Sequence, residues 1–430
     1  MAGTRVGITQ EFLQELLAAD DPHASVDSFE VTTGSGRGDN YTAMMYRVKV
    51  HGTTTLPDCE PESWTRSIIC KCLPQNTAKR QAFKSDALFK NEIAVYTQAL
   101  PALLAFQASR GVKAPFRAIP RCLFARKDML ILEDLKPLGF EMVDRKTGLD
   151  ASHCLAVLRS LAQLHALSLA MKIHEKERFQ LVVASSVQEA LFVDENEAWY
   201  RNYYRTATRN AIAMVQSALA PDQKRDSYLQ KMQEFVGDNS FFSRMISLVA
   251  PHEPLAVLCH GDCWTNNVLF RYSETGDILE VCLIDFQLAR YGSPALDLAN
   301  LLYICTTGEL RSSYMQKFLE SYRSTLVETL SELGCFDPDL VKSTPFASPN
   351  ILGEMLHAEM RRCGPFALGL ALDMIPICTC DSEQAPDMYD KEDTQSPEGN
   401  NTPVWSWNWN DACAKKMTEL VMELVDHGGL

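Results

Sequence analysis

The first third of the chain alternates between apolar and polar positions, which is the pattern of β-strands. Residues 28–50 read as two paired strands around a glycine-rich turn, and residues 67–73 read as a further strand. Two short apolar runs within residues 123–135 predict two more strands, separated by a polar turn. Strand patterns return only at 255–290. We therefore expect one sheet in the N-terminal part and a second group of strands late in the chain.

Helical periodicity dominates elsewhere. A leucine stripe begins after Ser152 and continues to Leu164, followed by long helical stretches to about residue 248 that Pro221 interrupts. A helix over 87–100 is expected to end at Pro101. Further helices are predicted over 9–19, 296–334, 350–374 and 411–426. Strands followed by helices indicate an α+β, bilobal layout: a β-rich N-lobe (1–135), a hinge near 133–137 and a large helical C-lobe (136–430).

Composition narrows the class of protein. The chain has 430 residues, 46% of them hydrophobic, and a formal net charge of −14. This charge argues against a nucleic-acid partner, which would need clustered Lys and Arg, and it makes an anionic membrane surface a poor partner. The start of the chain lacks the apolar core of a secretory signal, and no run of about 18 apolar residues predicts a membrane span. We expect a cytoplasmic protein whose 14 cysteines are reduced thiols; its oligomeric state is open.

One segment of the C-terminal part is expected to have no fixed structure. Residues 381–403 are acidic and polar, with Pro, Gly and Asn, which is typical of a disordered surface insert. An alternating tryptophan run follows it, at Trp405, Trp407 and Trp409. Such a run could wall a pocket for a cation. Beside a flexible insert it is more often packing, and we favour that interpretation.

The most informative polar residues lie between 258 and 300. His260 and Asp262 are followed by Asn267 and, after a strand, by Asp285. In kinase sites an aspartate orients the acceptor hydroxyl, while an asparagine and a second aspartate hold Mg²⁺ through hard oxygen ligands. Asp262 is therefore the candidate catalytic base, with His260 bracing its turn, and Asn267 and Asp285 are the candidate metal ligands.

The nucleotide half of such a site is predicted from the N-terminal strands. In the turn between the first two strands, Gly36, Gly38 and Asn40 would let backbone N–H groups approach phosphates. Lys71, between apolar neighbours, is the candidate for holding the phosphates. A buried lysine needs a carboxylate partner, and Glu92 on the next helix is preferred over Asp86 and Glu60.

Four further residues have assigned or open roles. The backbone of Glu133 and Leu135, in the connector between the lobes, is expected to bind adenine. His165 ends the leucine stripe and is expected to be a satisfied core histidine rather than a ligand. Asp297 either caps its own helix or reaches back to hold the segment 260–267, which we call the catalytic loop. The sequence favours neither role.

These motifs together resemble those of the ecdysteroid kinase-like (CHK kinase-like) family, relatives of aminoglycoside phosphotransferases and choline kinases. The resemblance runs nearly end to end through IICKCLP, FKNEIAVYTQALP, LILEDL, HGDCWTNNVLF and LIDFQLARYGSPALDLANLLY. Asp39 stands where such relatives usually have Glu. The resemblance implies a protein-kinase-like version of the bilobal fold, with ATP and Mg²⁺ as cofactors. It also implies Asp262 as catalytic base, Asn267 and Asp285 on the metal, and Lys71 with Glu92 on the phosphates. It also implies steroid alcohols, or xenobiotic phenols and their glycosides, as acceptors.

The acceptor's size class is predicted separately. Protein kinases place a long peptide-docking segment after the metal aspartate, but only a short path separates Asp285 from Asp297. A small molecule with a hydroxyl is therefore the expected partner. An amino-alcohol kinase of the choline or ethanolamine type is the alternative enzyme, and a catalytically inactive nucleotide-binding relative is the alternative from another class.

Overall fold

The computed structural model describes residues 7–34, 43–75, 77–82, 84–236, 240–337, 346, 348–380 and 409–430. Its N-terminal part is one antiparallel sheet with the order β1-β2-β3-β5-β4. The strands are β1 (Ala24–Thr33), β2 (Met44–Thr54), β3 (Glu62–Cys72), β4 (Cys122–Arg126) and β5 (Met129–Glu133). The strands expected from the alternating pattern are present, and β3 begins earlier than predicted.

Side-chain alternation gives this sheet two different faces. Val48, Ile68 and Cys70 pack in a small apolar core with Leu13 and Leu17 of helix α1 (Gln10–Ala18). Because neighbouring residues of a strand point to opposite faces, Lys71 faces away from that core. The lysine therefore emerges on the side of the sheet where the helical part of the chain lies.

The helix predicted over 87–100 does not end at Pro101. Helix α3 (Ser85–Ala94), which follows the short α2 (Thr77–Ala82), passes through a π-helical turn (Val95–Ala99) directly into α4 (Leu100–Arg110). Pro101 lies in the first turn of α4, where its missing N–H group is least costly. The expectation was wrong because the wider π-turn starts a new helical register just before the proline.

Helices form most of the remaining chain, and the predicted helical stretches are present in outline. In chain order they are α5 (Ala151–His174), α6 (Lys176–Phe179) with a π-turn (Gln180–Ala184), α7 (Asp194–Ala218), α8 (Gln223–Val236), α9 (Phe241–Val249), α10 (Pro294–Ala299) with a π-turn (Asn300–Ile304), α11 (Gly308–Glu332), α12 (Pro349–Thr379) and α13 (Asp411–Asp426). The structure divides the predicted helix 296–334 in two. It also extends the helix predicted over 350–374 past Pro376.

Helix α5 is the centre of the helical part. It is the one helix in the described ranges that is long and apolar enough to cross a membrane, with a mean hydropathy of 1.4. However, 83% of its apolar window is buried inside the protein, packed mainly against α11 and its neighbours. Length and composition alone are weak grounds for a membrane span, since core helices of soluble proteins pass the same test.

Two small sheets carry the residues between 255 and 292. Strand β7 (Val257–Cys259) pairs antiparallel with β10 (Arg290–Gly292), and β8 (Val268–Tyr272) lies between β6 (Phe140–Met142) and β9 (Ile278–Leu283). The polar residues of interest lie where these strands end. Their loops contain short 3-10 turns at Thr265–Asn267 and Phe286–Leu288.

Candidate active site

Lys71 meets two carboxylates from different parts of the chain. Its Nζ lies 2.6 Å from Oε2 of Glu92, on α3, and 2.7 Å from Oδ1 of Asp285, after β9. The predicted pairing with Glu92 is thus present, and the contact with Asp285 was not foreseen. The lysine therefore joins the sheet, α3 and the loop after β9 at one point.

The environment of this lysine favours its charged form. Burial works against the charge, but the carboxylates of Asp285 and Glu92 outweigh it and raise the pKa of Lys71. Burial also raises the pKa of Glu92 to about 7, against the opposing effect of Lys71. Lys71 is therefore protonated and stands between two carboxylate partners. Removing one partner of such a buried pair typically costs about 3–5 kcal/mol of stability.

The catalytic loop depends on a glycine. Gly261 has a φ of +85°, and a Cβ atom there would lie 1.8 Å from the carbonyl oxygen of Leu288. Both the backbone conformation and the close approach of the two loops therefore require glycine at this position. The tight turn presents Asp262 beside Asn267, whose Nδ2 donates to Oδ2 of Asp262 at 2.8 Å and to its carbonyl oxygen at 2.9 Å.

Asp262 lies in an environment that makes ionisation unfavourable. Burial, together with the nearby Asp285 carboxylate, raises the pKa of Asp262 to about 7, although the hydrogen bond from Asn267 opposes the shift. Strongly perturbed pKa values are common at functional sites.

Asp297 binds the backbone of the catalytic loop. Its Oδ2 accepts the backbone N–H of His260 at 2.7 Å and its Oδ1 accepts that of Gly261 at 2.8 Å. Ser293 caps α10 instead, since its side chain accepts the N–H of Ala295. Asp297 therefore holds the catalytic loop and is not a helix cap.

Two histidines brace the same region. His165 is fully buried, with Nδ1 2.9 Å from the hydroxyl of Tyr322 and Nε2 3.1 Å from Oδ2 of Asp297, so it is a satisfied core histidine as expected. His260 bonds the carbonyl oxygen of Ile284 through Nε2 at 3.0 Å. Burial lowers the pKa of His260, which suits a neutral ring that ties the catalytic loop to the strand before Asp285.

Asp285 adopts a strained backbone conformation. Its φ of +66° lies in the left-handed region, which is uncommon for a residue with a Cβ. The next residue, Phe286, is fully buried against the rings of Tyr96 and His260. The packing of Phe286 thus keeps Asp285 pointing towards Lys71, and such strain is typical of functional sites.

A cleft of about 490 Å³ lies between the five-stranded sheet and the loops of the small sheets. Lys71, Asp285, Asn267 and the connector residues Glu133 and Leu135 all line it, together with Ile69, Leu132 and Leu269. Lys71, Asp285 and Asn267 supply polar groups to this lining, and Ile69, Leu132 and Leu269 supply apolar surface. The cleft can take a molecule with a flat apolar part and a charged part.

The connector is fixed by a residue that the sequence did not single out. Asp134 accepts hydrogen bonds from Nε of Arg47 at 2.7 Å, from the hydroxyl of Ser67 at 2.6 Å and from the N–H of Lys136 at 3.2 Å. Burial opposes its charge, but these donors lower the pKa of Asp134. Asp134 thereby ties the segment between the lobes to strands β2 and β3.

Two asparagines of the site were also missed. Asn266 is 6% exposed, lines the cleft, and its side-chain nitrogen has no hydrogen-bond partner within the described residues. Asn91, beside Glu92 on α3, donates to the carbonyl oxygens of Gln287 at 3.0 Å and Ala289 at 2.7 Å. Its Oδ1 accepts the N–H of Gln188 at 3.0 Å. The sequence offers one signal for these two asparagines, which is that each is a polar residue next to a residue of an identified motif.

Several predicted residues lie outside the part of the chain that the structure describes. They are Gly36, Gly38 and Asn40 of the glycine-rich turn, the insert 381–403, and Trp405 and Trp407. Their expected roles stay predictions. Trp409 is described and is 36% exposed.

The oxygen donors near Lys71 suit a magnesium ion. The amide nitrogen of Asn267 donates a hydrogen bond to Asp262, so its amide oxygen is the atom that would bind a cation. Lys71 contacts Oδ1 of Asp285, which leaves Oδ2 of that carboxylate for a cation. Amide and carboxylate oxygens are the hard ligands that Mg²⁺ prefers, and therefore the residues present fit the ion.

Comparisons with known proteins identify the family of this chain. Residues 37–335 match the sequence model of the ecdysteroid kinase-like family. No curated protein sequence matches the chain. Similar solved structures include the ternary complex of streptomycin, ATP and APH(2")-IIa (13% identity, 84% of this chain, 89% of that chain, TM-score 0.38). Another is the GDP complex of aminoglycoside 2'-phosphotransferase-IIIa (13% identity, 82% and 99% covered, TM-score 0.32). These TM-scores are low, so the two structures say nothing about the substrate here.

Proposed function

The chain belongs to the ecdysteroid kinase-like family, and on this premise we propose that it is an ATP-dependent kinase of a hydrophobic small-molecule alcohol. The acceptor we propose is a steroid alcohol such as an ecdysteroid, or a xenobiotic phenol or glycoside. The observation that supports phosphoryl transfer best is that Lys71, Asn267 and Asp285 line one cleft and that Asp262 is hydrogen-bonded to Asn267 beside it. Each of these residues supplies a part that phosphoryl transfer needs.

The nucleotide is proposed to lie in the cleft of about 490 Å³. The backbone of Glu133 and Leu135 would bind the base, and the ammonium group of Lys71 would bind phosphate oxygens. The nitrogen of Asn266 would donate to a phosphate oxygen, since a buried N–H without a partner costs about 1–3 kcal/mol. Asn267 and Asp285 would hold Mg²⁺, which neutralises charge on the phosphates.

Asp262 is proposed to act on the acceptor. Its carboxylate would accept a hydrogen bond from the acceptor hydroxyl and direct that oxygen at the γ-phosphorus of ATP. A new P–O bond forms to the acceptor, the bond between the γ-phosphorus and the β–γ bridging oxygen breaks, and ADP leaves. The hydroxyl proton passes to Asp262. The hydrogen bond from Asn267 keeps the carboxylate oriented throughout.

The short connection after Asp285 supports a small acceptor. After the 3-10 turn at Phe286–Leu288 and the three residues of β10, α10 begins at Pro294. A peptide-docking segment of the kind found in protein kinases does not fit into this length. Phosphorylation would make an apolar alcohol anionic and soluble, which is the basis for a proposed detoxification role.

Product analysis tests the acceptor. The purified protein would be incubated with ATP, Mg²⁺ and a panel of ecdysteroids, plant phenols, phenol glycosides, choline and ethanolamine. Mass spectrometry would detect phosphorylated products. We expect a phosphate ester of a steroid or phenol. Faster phosphorylation of choline than of every steroid and phenol would contradict the acceptor class, and nucleotide binding without any turnover would indicate the inactive relative.

A further inference from the structure

A pair of cysteine thiols lies on strand β3, one on each side of Lys71. Cys70 and Cys72 are two residues apart, so their side chains point to the same face of the strand and Lys71 points to the other. Their Sγ atoms are 3.5 Å apart, which is within hydrogen-bond distance for sulfur. Cys70 is buried in the apolar core beneath α1, and Cys72 is partly exposed beside it. The two thiols thus lie behind the cleft, on the strand that supplies its lysine.

The two thiols have different environments. The hydrogen bond from the Cys70 thiol lowers the pKa of Cys72, and the guanidinium group of Arg126 adds to this effect, while burial and the Asp128 carboxylate oppose it. The same hydrogen bond and burial raise the pKa of Cys70. Thiolates rather than thiols react with peroxides, and a partly exposed cysteine near an arginine is a common setting for a reactive one. Cys72 is therefore the cysteine that reacts first, and Cys70 lies within reach to attack the product.

We propose that Cys70 and Cys72 form a dithiol that a peroxide oxidises to a disulfide, and that this disulfide moves Lys71 and weakens nucleotide binding. The Cys72 thiolate attacks one oxygen of hydrogen peroxide, the O–O bond breaks, and Cys72 becomes a sulfenic acid while hydroxide leaves. The sulfur of Cys70 then attacks that of Cys72, the S–S bond forms, the S–O bond breaks, and the oxygen leaves as water with the Cys70 proton. Two thiols lose two electrons and one peroxide gains them, which gives a disulfide and two waters.

An extended strand holds two such cysteines too far apart for an unstrained disulfide. Residues two apart in a strand have Cα atoms about 6.4–6.8 Å apart, whereas disulfides most often join Cα atoms about 5.5–6 Å apart. The two sulfurs must also close from 3.5 Å to about 2.0 Å. Bond formation therefore shortens β3 by up to about 1 Å at Lys71. Because Nζ of that lysine lies 2.6 Å from Glu92 and 2.7 Å from Asp285, a displacement of this size disturbs both contacts.

The rest of the sheet resists this change. Strand β3 pairs with β2 on one side and with β5 on the other, and both cysteines lie at paired positions. A disulfide that works against this pairing is easily reduced, which makes the modification reversible by thiols. The effect on nucleotide binding rests on the proposed function of Lys71, whereas the formation of the disulfide does not.

Two measurements on the same oxidised sample test the proposal. The full chain is reduced, freed of reductant and treated with hydrogen peroxide, and its fragments are examined by mass spectrometry after free thiols have been alkylated. The intact sample is titrated with Mg²⁺ and a non-hydrolysable ATP analogue. We expect a disulfide between Cys70 and Cys72 and an affinity about ten-fold lower, as for the loss of one charged hydrogen bond to a phosphate. Dithiothreitol should restore the affinity.

Matched variants assign the effect to this pair. Cys72→Ser should bind the analogue like the reduced parent and keep that affinity after peroxide. Cys70→Ala should stop at the sulfenic acid of Cys72, which dimedone labels, with little loss of affinity. Cys59→Ser changes an exposed cysteine between β2 and β3 and should lose affinity on oxidation as the parent does. Melting curves of the reduced proteins check that each variant is folded.

The outcomes separate this proposal from the proposed function. Absence of the disulfide from the oxidised parent would overturn the proposal, as would unchanged affinity despite the disulfide or an equal loss of affinity in Cys72→Ser. If the reduced parent bound no nucleotide, the proposed function would fail and the effect on binding with it, while the disulfide would still be detected by mass.

Discussion

At the scale of single residues, Asp297 shows how much one buried carboxylate can organise. It receives two backbone N–H groups of the catalytic loop and the ring of His165. Asp297→Asn replaces one acceptor oxygen by an NH₂ group that faces a donor. We expect a loss of about 1–3 kcal/mol in the free energy of unfolding and a fall in kcat with little change in the KM for ATP. Urea unfolding and steady-state kinetics measure both effects.

The same chemical change at an exposed site is the control. Asp58→Asn lies on the surface of the N-terminal part and should leave both quantities unchanged. If Asp297→Asn kept the parent's kcat, the loop would not depend on this carboxylate.

Asn266 gives a second prediction at this scale. Its buried amide nitrogen lines the nucleotide cleft without a partner within the described residues. If it binds a phosphate oxygen, Asn266→Ala should raise the KM for ATP or lower kcat by about ten-fold, which corresponds to about 1.4 kcal/mol. Its melting temperature should not fall, since no protein hydrogen bond is lost. A variant that is less stable but equally active would point to a structural role.

Asp373 predicts how stability depends on pH. Tyr203 and Tyr204 donate hydrogen bonds to its carboxylate. The residue as a whole is partly exposed to solvent, but its carboxylate lies inside the protein. Burial raises the pKa of Asp373 from 3.8 to about 6, against the effect of both hydroxyls. Since the folded pKa is the higher one, the stabilisation is present below about pH 4 and is lost as the pH rises through about 6.

The variant Asp373→Asn removes this titration. The free energy of unfolding of the variant, relative to that of the parent, should therefore rise between about pH 4 and pH 8, by at most about 3 kcal/mol. Denaturant unfolding at several pH values measures the difference. A constant difference across this range would show that Asp373 does not titrate as described.

At the scale of elements, local patterns predicted most helices and strands. The helix expected at 411–426 is present as α13, because Asn410 caps its start and an apolar stripe follows. The prediction at Pro101 was wrong because proline is disfavoured inside a helix but tolerated in its first turn. Here a π-turn precedes it, and the sequence of that turn carries no distinctive signal.

The position of α3 depends on contacts that no local pattern shows. The partners of Asn91 lie up to 198 residues away along the chain, in the loop after Asp285 and in the segment before α7. Asn91→Ala should loosen α3 and with it the contact between Glu92 and Lys71. We expect a several-fold rise in the KM for ATP and a loss of about 1–3 kcal/mol in stability.

The neighbouring residue provides the control for this prediction. Lys90→Ala changes an exposed position of the same helix and should affect neither quantity. Nucleotide titration and thermal melting of both variants make the comparison. A normal KM for ATP in Asn91→Ala would show that α3 is held by other contacts.

At the scale of the whole molecule, the motif residues and the pairing of Lys71 with Glu92 could be predicted, but the other long-range contacts of the site could not. Lys71, Glu92, Asp262, Asn267 and Asp285 were chosen from residue type and spacing. The structure brings four of them to one cleft and places Asp262 beside Asn267. The salt bridge between Arg47 and Asp134 spans 87 positions, and the hydrogen bond from Asn91 to the carbonyl oxygen of Ala289 spans 198. Such contacts follow from tertiary packing, which a single sequence does not reveal.

We propose that the protein transfers a phosphoryl group from ATP to a small hydroxyl compound, with Asp262 as the catalytic base. The most direct test compares the parent chain with Asp262→Asn, in phosphate-ester formation from ATP and the best acceptor of the steroid and phenol panel. We predict that the variant binds Mg²⁺–ATP with near-parental affinity and loses at least 100-fold in kcat, within the range for general acid–base groups. Product formation at the parental rate by Asp262→Asn would contradict the account.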